Sequence, residues 1–219
     1  MPERRYIRRF SLTERALHWV HACAFFVLFG SGLVLYLPRL SEIVSRRPLV
    51  KAIHIDTAIA WAAAIVLIVL AGDRRGLRRT LGELDLFDSD DRRWLSGRPA
   101  PQGRFNAGQK VNAALTAAFA LLFVVSGFLL WYGERDTRFR FASTILLHDG
   151  LMYVSLVLLV GHLYLAVIHP QTRHALRGIT FGSVEEAWAR EHHLKWVEPE
   201  QPGEAKPPTE PTATTPRPG

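Results

Sequence analysis

Cysteine is almost absent from this chain, since Cys23 is the only one among 219 residues. A single cysteine excludes an internal disulfide, a cysteine-ligated iron–sulfur cluster and the C-x-x-C-H attachment of a c-type haem. We interpret Cys23 as a small buried hydrophobic residue. No pattern typical of acid–base or nucleophilic catalysis is evident either.

Charge is nearly missing from four long stretches, although charged residues make up 21% of the chain. The stretches are 16–37, 52–71, 111–132 and 145–168, with 22, 20, 22 and 24 residues. An α-helix needs about 20 apolar residues to cross a hydrocarbon core of ~30 Å. The sequence therefore predicts an all-α membrane protein with a four-transmembrane-helix bundle, and it excludes a soluble globular domain.

Basic residues are spread unevenly between the two sides of these spans. On the side that carries both termini, residues 1–15, 72–105 and 171–198 hold 17 Lys and Arg residues, and the loops of the opposite side hold seven. Because short cytoplasmic loops accumulate Lys and Arg, both termini are predicted to be cytoplasmic. The net charge of +7 is then explained by lipid headgroups or a partner subunit rather than by nucleic acid. The first apolar run is too long for a signal peptide, so we expect a retained span.

The chain divides into four regions. Residues 1–15 form a basic cytoplasmic segment, and residues 16–170 form the transmembrane domain, with a cytoplasmic loop at 72–105. In this loop Gly76–Leu86 is predicted as a short interfacial helix and Ser96–Gly103 as a connection. Residues 171–197 contain a short helix at Ser183–His193, with Ser183 as its cap and Glu186 completing a capping box. The Pro-rich residues 198–219 are predicted to be disordered.

Histidines carry the functional information. Six of the nine lie within or beside the spans: His18, His21, His54, His148, His162 and His169. Ionisable side chains in a membrane interior are costly and are interpreted as functional by default. Imidazole is a good axial ligand of haem iron, and two histidines from neighbouring helices hold a b-type haem without covalent attachment. The sequence therefore predicts haem binding.

Depth in the membrane suggests which histidines pair. His54 and His148 each follow the outer start of their runs by two or three residues, so they form a natural outer pair. His162 comes 14 residues after His148, on nearly the same helix face and about 21 Å further in. We favour His162 over His169, which precedes Pro170 at the far interface. Depth slightly favours His21 over His18 as its partner, and geometry leaves that choice open.

Other polar and small residues surround these positions. Asp56 and Asp149 are candidates to orient the outer imidazoles, or else are simple interfacial carboxylates. Asn106 and Gln109, beside Lys110, are candidates to bind the carbonyls of a quinone, and Asn106 is alternatively a helix cap. Glycines that would let a flat macrocycle approach the helices are Gly30, Gly32, Gly127, Gly150 and Gly161.

Several segments resemble one known family. They are Arg15–Trp19 (RALHW), Asn106–Lys110 (NAGQK), Trp188–Trp196 (WAREHHLKW) and the His148–His162 spacing. Over residues 6–197 they resemble the gamma subunit of membrane-bound respiratory formate dehydrogenase, a dihaem cytochrome b. NAGQK and the histidine spacing are its most specific parts. His21 and His169 are not part of the pattern.

The resemblance implies a site and partners. His54 and His148 would ligate a periplasmic-side haem b, and His18 and His162 a cytoplasmic-side haem b. A quinone, menaquinone or ubiquinone, would bind near Asn106 and Gln109. Electrons would come from an iron–sulfur (beta) subunit and a molybdenum or tungsten catalytic (alpha) subunit that oxidises formate, in the inner membrane of a bacterium.

Three rival functions are weighed against this one. The chain would otherwise be the cytochrome b of a nickel–iron hydrogenase or of another periplasmic oxidoreductase. A metal-ion transporter ranks low, because acidic residues lie near only one surface. A free-standing quinone reductase is disfavoured, because the loops are too short to hold an electron donor.

Overall fold

The computed structural model describes residues 4–198 and is almost entirely helical. In chain order the elements are β1 (Tyr6–Arg8), α1 (Leu12–Tyr36), α2 (Pro38–Val44), α3 (Arg47–Ala71), α4 (Arg74–Asp85), α5 (Ser89–Leu95), α6 (Ala107–Gly133), α7 (Ala142–Leu163), α8 (Leu176–Phe181), β2 (Ser183–Glu185), α9 (Glu186–His192) and α10 (Leu194–Val197). A π-turn, Tyr164–Ile168, extends α7.

Four of these helices are long and apolar enough to cross a membrane. They are α1, α3, α6 and α7 with its π-turn, and each contains nearly all of one predicted span. Few of their residues are buried within the chain, because a narrow bundle presents most of its apolar surface to lipid. The predicted four-helix membrane bundle is confirmed.

The long helices form two hairpins. Helix α1 packs on α3, and α6 packs on α7, whereas direct contacts between the hairpins are sparse. Local sequence sets where the helices begin. Ser11 and Glu14 form a capping box at the start of α1, and Asn106 and Gln109 form one at the start of α6. The seam between the hairpins is where the histidines meet.

The segment between the hairpins is more ordered than expected. The predicted interfacial helix at Gly76–Leu86 corresponds to α4, which is capped by the Asp73 side chain. Two helices of only seven residues were not predicted: α5, in this segment, and α2, within the first hairpin. Helices this short make too few turns to show a clear hydrophobic period.

The predicted helix at Ser183–His193 is only partly correct. Residues Ser183–Glu185 form strand β2, which pairs antiparallel with β1, and the helix begins at Glu186. The capping box is wrong, because the cap position is Glu185 and its side chain makes no capping bond. The Glu186 carboxylate instead pairs with Arg5 and Arg190. The partner strand lies at the other end of the chain, so local sequence gave no sign of it.

Two further predictions concern Cys23 and the C-terminal tail. Cys23 is exposed on the helix surface rather than buried, so its interpretation as a core residue is wrong. The predicted disordered tail, apart from Glu198, lies outside the described residues.

The two ends of the described chain form one structure, which we call the terminal cap (residues 5–10, 102–109 and 183–197). Its core is Val184, Trp188 and Ala189, with Ile7 and Trp196 packed against it. Side chains of α1 join the bundle to α8, which leads into β2 of the cap, since the Arg15 and Trp19 side chains each donate a hydrogen bond to the Ile179 carbonyl. The cap therefore covers one end of the helical bundle.

Candidate haem-binding site

Two histidine pairs face each other across the seam between the hairpins. We name them by position: the inner pair lies on the side of the terminal cap and the outer pair on the opposite side. In the outer pair, His54 of α3 faces His148 of α7, with ring centroids 6.4 Å apart and planes at 66°. In the inner pair, His18 of α1 faces His162 of α7, also at 6.4 Å, with planes at 45°.

This separation suits one metal ion between two rings. An imidazole nitrogen binds a metal at about 2.0 Å, so two rings that share one metal from opposite sides have centroids roughly 6 Å apart. Helix α7 contributes one ring to each pair because His148 and His162 are nearly four turns apart on one face. The two sites therefore lie one above the other along the seam.

The donor set fits haem better than a bare metal ion. Among residues 4–198, no group of three or more His, Cys, Asp or Glu side chains is placed to hold a metal. Zinc sites use three or four protein ligands, whereas haem iron needs only axial ligands because the porphyrin supplies the other four. Two opposed imidazoles are what a b haem requires from the protein.

Serine hydroxyls hold the outer imidazoles. The Nδ1 atom of His54 lies 2.8 Å from Ser31 Oγ, and Nδ1 of His148 lies 2.8 Å from Ser126 Oγ. The hydrogen-bond partners of the two Nδ1 atoms are thus serines rather than Asp56 or Asp149. The suggestion that these aspartates orient the rings is therefore wrong. Asp56 is two residues from His54 and Asp149 is adjacent to His148, and residues at those spacings point to different faces of a helix.

The inner imidazoles have different surroundings. Nδ1 of His18 is buried without a hydrogen-bond partner in the described part of the chain, and its ring lies edge-on to Trp19. His21, which depth had slightly favoured, lies beside Trp61 and Phe25 instead of facing His162. His169 lies beyond the π-turn, where its ring packs on Tyr164.

The amides of the candidate quinone site take part in helix capping. The Asn106 side-chain oxygen accepts a hydrogen bond from the Gln109 backbone N–H, and the Gln109 oxygen accepts one from the Asn106 N–H. Arg9 also donates to the Gln109 oxygen, at 3.3 Å. The capping role that the sequence left open is therefore present, and it uses the oxygens of both amides while leaving the NH₂ groups as donors.

A buried Arg–His contact lies beside these amides. Arg9 is 3% exposed, donates to the Arg104 carbonyl and contacts Nε2 of His193 at 3.2 Å. Burial, followed by the charge of Arg104, lowers the pKa of Arg9 to about 9, so its guanidinium remains charged at neutral pH. Burial and the charge of Arg9 lower the pKa of His193 to about 3, so that imidazole remains neutral.

Ion pairs complete the inner side of the molecule. Arg104 bonds to the carboxylates of Glu14 on α1 and Glu83 on α4. Lys110 of α6 pairs with Asp91 of α5 at 2.6 Å, with both side chains almost fully buried. These contacts join α1, α4, α5 and α6 around the end of the seam that holds the inner pair.

A family model described as prokaryotic cytochrome b561 matches residues 9–182. The chain belongs to the prokaryotic cytochrome b561 family. A cytochrome b family implies haem b as a cofactor, which agrees with the opposed imidazoles of this family member. It also agrees with the four membrane-spanning helices, so this cytochrome is a multi-pass membrane protein.

Individual relatives carry more specific names. The formate dehydrogenase cytochrome b556(fdo) subunit of Escherichia coli K12 is 26% identical over 206 residues, which cover 90% of this chain and 94% of the relative. The formate dehydrogenase cytochrome b556 subunit of Haemophilus influenzae is 24% identical and covers 89% and 83%. The nitrate-inducible cytochrome b556(Fdn) subunit of E. coli K12 is 22% identical and covers 94% and 97%. The resemblance to formate dehydrogenase cytochrome subunits is confirmed.

Sequence reasoning missed the two serines of this cytochrome. A signal was available, because the dipeptide Ser-Gly occurs once in α1, at 31–32, and once in α6, at 126–127. Each serine precedes its histidine by 22 or 23 residues. Arg9 and His193 were also missed, since their contact joins opposite ends of the chain.

Proposed function

We propose that this cytochrome is the membrane-anchoring cytochrome b subunit of a formate dehydrogenase complex. It relays electrons from a periplasmic iron–sulfur subunit, through two b haems, to a quinone reduced at the cytoplasmic side. Formate is oxidised on a separate molybdenum or tungsten subunit. The observation that carries the proposal is the presence of two histidine pairs with the same 6.4 Å separation at opposite ends of one seam.

The chain's own residues would hold the cofactors and exclude water. His54 and His148 would ligate the outer haem, and His18 and His162 the inner haem. A b haem supplies one-electron redox chemistry when it is bound. The apolar helices around the seam keep water and ions away from the imidazoles.

Charge distribution supports the direction of electron flow. The excess of Lys and Arg on the side of the termini favours a cytoplasmic position for the terminal cap, in the inner membrane of a bacterium. The outer pair then faces the periplasm, where an iron–sulfur subunit would dock. The relatives are named as cytochrome subunits of formate dehydrogenase, which supports a place in such a complex. An electron that moves inward across the membrane potential stores about 2.3 kcal/mol per 100 mV.

The quinone would bind where the inner pair approaches the terminal cap. Carbonyl oxygens accept hydrogen bonds, and the NH₂ groups of Asn106 and Gln109 are donors whose amides are held rigid by the capping box. Menaquinone and ubiquinone both present such carbonyls. Protons for the reduced quinone would come from the cytoplasm, on the same side.

Haem content and formate-dependent reduction test this function. In membranes that contain the complex, formate is expected to reduce a b-type haem signal, with two haems per chain. The variants His54→Ala and His148→Ala should each remove about half of the haem, because each deletes one axial ligand of the outer site. His21→Ala is the matched control and should retain both haems.

The outcomes separate the proposal from its rivals. One haem per chain would contradict the two-site assignment, and none would contradict the cytochrome function. Reduction by hydrogen instead of formate, with a nickel–iron subunit co-purifying, would support the hydrogenase alternative. Half-loss of haem while formate still reduces the remainder would mean that the pairing is right but the order of electron transfer is wrong.

A further inference from the structure

We propose that Ser31 and Ser126 are positioning residues for the outer haem, which fix the tautomer and the ring orientation of His54 and His148. The inference rests on the outer haem site of the proposed function. It assigns a role to two hydroxyls within the membrane spans, one on each hairpin; Ser126 is buried and Ser31 is partly buried. It also makes the outer site chemically different from the inner one.

The hydroxyl protons decide the tautomer. Ser31 Oγ lies 2.7 Å from the Val27 carbonyl oxygen, and Ser126 Oγ lies 2.6 Å from the Leu122 carbonyl oxygen. A carbonyl oxygen only accepts hydrogen bonds, so each serine must donate its single proton to the helix backbone. The histidine Nδ1 atom 2.8 Å from each oxygen must then be the donor.

A protonated Nδ1 leaves the other ring nitrogen free. In a neutral imidazole one nitrogen carries the proton and the other carries the lone pair. Because Nδ1–H is used by the serine, the Nε2 lone pairs of both outer histidines are available as ligands. In the opposite tautomer Nδ1 would carry a lone pair, and the single serine proton would face two acceptors. Either the backbone carbonyl oxygen or the ring nitrogen would then lie against the serine oxygen without a proton between them, which is unfavourable in a membrane interior.

The same arrangement occurs on both hairpins. Each serine is followed by a glycine, and a Cβ atom added at Gly32 or Gly127 would lie 3.5 Å from Cε1 of the neighbouring histidine. Cε1 lies between the two ring nitrogens, so each glycine lies beside the edge of the ring that leads toward Nε2. Helices α1 and α6, which belong to different hairpins, therefore each supply a serine and a glycine to one histidine of the outer pair.

The inner pair lacks this support. Nδ1 of His18 has no hydrogen-bond partner among residues 4–198. An acceptor at Nδ1–H makes an imidazole a more basic ligand, which favours ferric iron and lowers the reduction potential. The serines are therefore expected to keep the outer haem at a lower potential than it would otherwise have, which favours electron transfer from the outer haem to the inner haem.

Redox titration of the purified complex tests the assignment. Ser31→Ala and Ser126→Ala should each shift the potential of the outer haem to more positive values and lower the affinity of the outer site for haem about 10–100-fold. The outer haem is identified as the one that His54→Ala removes. Ser31→Thr and Ser126→Thr should restore both properties, because threonine keeps the hydroxyl.

A hydroxyl on the same helix provides the control. Thr116 of α6 bonds to the carbonyl of Asn112, as Ser126 bonds to that of Leu122, but within residues 4–198 it makes no hydrogen bond to a histidine. Thr116→Val should leave both potentials unchanged. Alanine variants with full haem content and unchanged potentials would overturn the serine assignment while leaving the proposed function intact.

The tautomer is measured separately. Ring ¹⁵N shifts of the full-length chain labelled at histidine, recorded without haem, should show the Nδ1–H tautomer for His54 and His148. In the alanine variants this preference should be lost. Nε2–H tautomers in the unsubstituted chain would contradict the inference whether or not haem binds, whereas failure of the chain to bind haem would contradict the proposed function.

Discussion

The outer and inner histidine pairs have equal ring separations but different supports. Serine hydroxyls within the spans hold the outer rings, and each hydroxyl also bonds to the carbonyl four residues earlier in its own helix. The inner pair lies at the end of the seam that the terminal cap covers, where distant parts of the chain meet. The outer rings are therefore held within each hairpin, by a serine on the neighbouring helix, whereas the inner pair lies beside the terminal cap. Changes should affect the two sites separately.

Removal of an inner haem ligand should produce the largest difference between the two sites. His162→Ala should remove the inner haem, and formate should still reduce the outer haem while quinone reduction is lost. The reason is that His162 and His148 lie on one helix but serve different pairs. Haem-to-protein ratio and formate-reduced spectra measure the effect, with His169→Ala as the control. Equal loss of both haems would show that the two sites are not independent.

Loss of the buried Lys110–Asp91 ion pair should have the next largest effect, a loss of stability confined to the inner side. Lys110→Met leaves Asp91 buried without its cation, which is expected to cost about 3–5 kcal/mol of stability. Thermal unfolding and hydrogen exchange of α5 measure this loss. The double variant Asp91→Leu with Lys110→Met should recover much of it, because no unpaired charge remains. A double variant as unstable as the single one would contradict this explanation.

Acid should loosen the terminal cap while leaving the outer pair in place. His193 stays neutral in the folded cap, with a pKa of about 3, whereas an exposed histidine takes up a proton near pH 6.5. As pH falls from about 6.5 toward 3, the opened cap binds more protons than the folded one, so cap stability decreases.

Hydrogen exchange of the β1 and β2 amides, corrected for intrinsic rates, measures this opening. His193→Asn removes the titrating group and should make the protection of these strands less dependent on pH. Protection that falls equally in both proteins would assign the effect to another group.

Substitution of a glycine near the outer pair should have the smallest effect on haem retention. Gly32→Ala places a methyl group beside the His54 ring, whereas Gly30→Ala meets nothing within 4 Å. Gly32→Ala should lower the retention of the outer haem by less than Ser31→Ala does, and Gly30→Ala should leave it unchanged. Spectra of the two purified variants decide between them, and equal losses would remove Gly32 from the site.

Much of the fold and part of the site followed from local patterns. The four spans were visible because each helix in lipid must be apolar along its whole length. The pairing of His54 with His148 followed from depth, since both lie near the start of a span. The choice between His18 and His21 did not, because residues three apart lie on the same side of a helix and differ in depth by only about 4.5 Å.

The sequence alone determined that this chain crosses a membrane with four helices that carry histidines at two depths, because apolar length and helix rise are local properties. The resemblance implied that His18 pairs with His162, and the tertiary structure brings these two rings face to face. Only the tertiary structure decided that Ser31 and Ser126 bond to the outer rings and that Arg9 meets His193. Each of these contacts joins different helices or opposite chain ends. Their geometry depends on helix rotation and on the seam between hairpins, which no single segment of sequence contains.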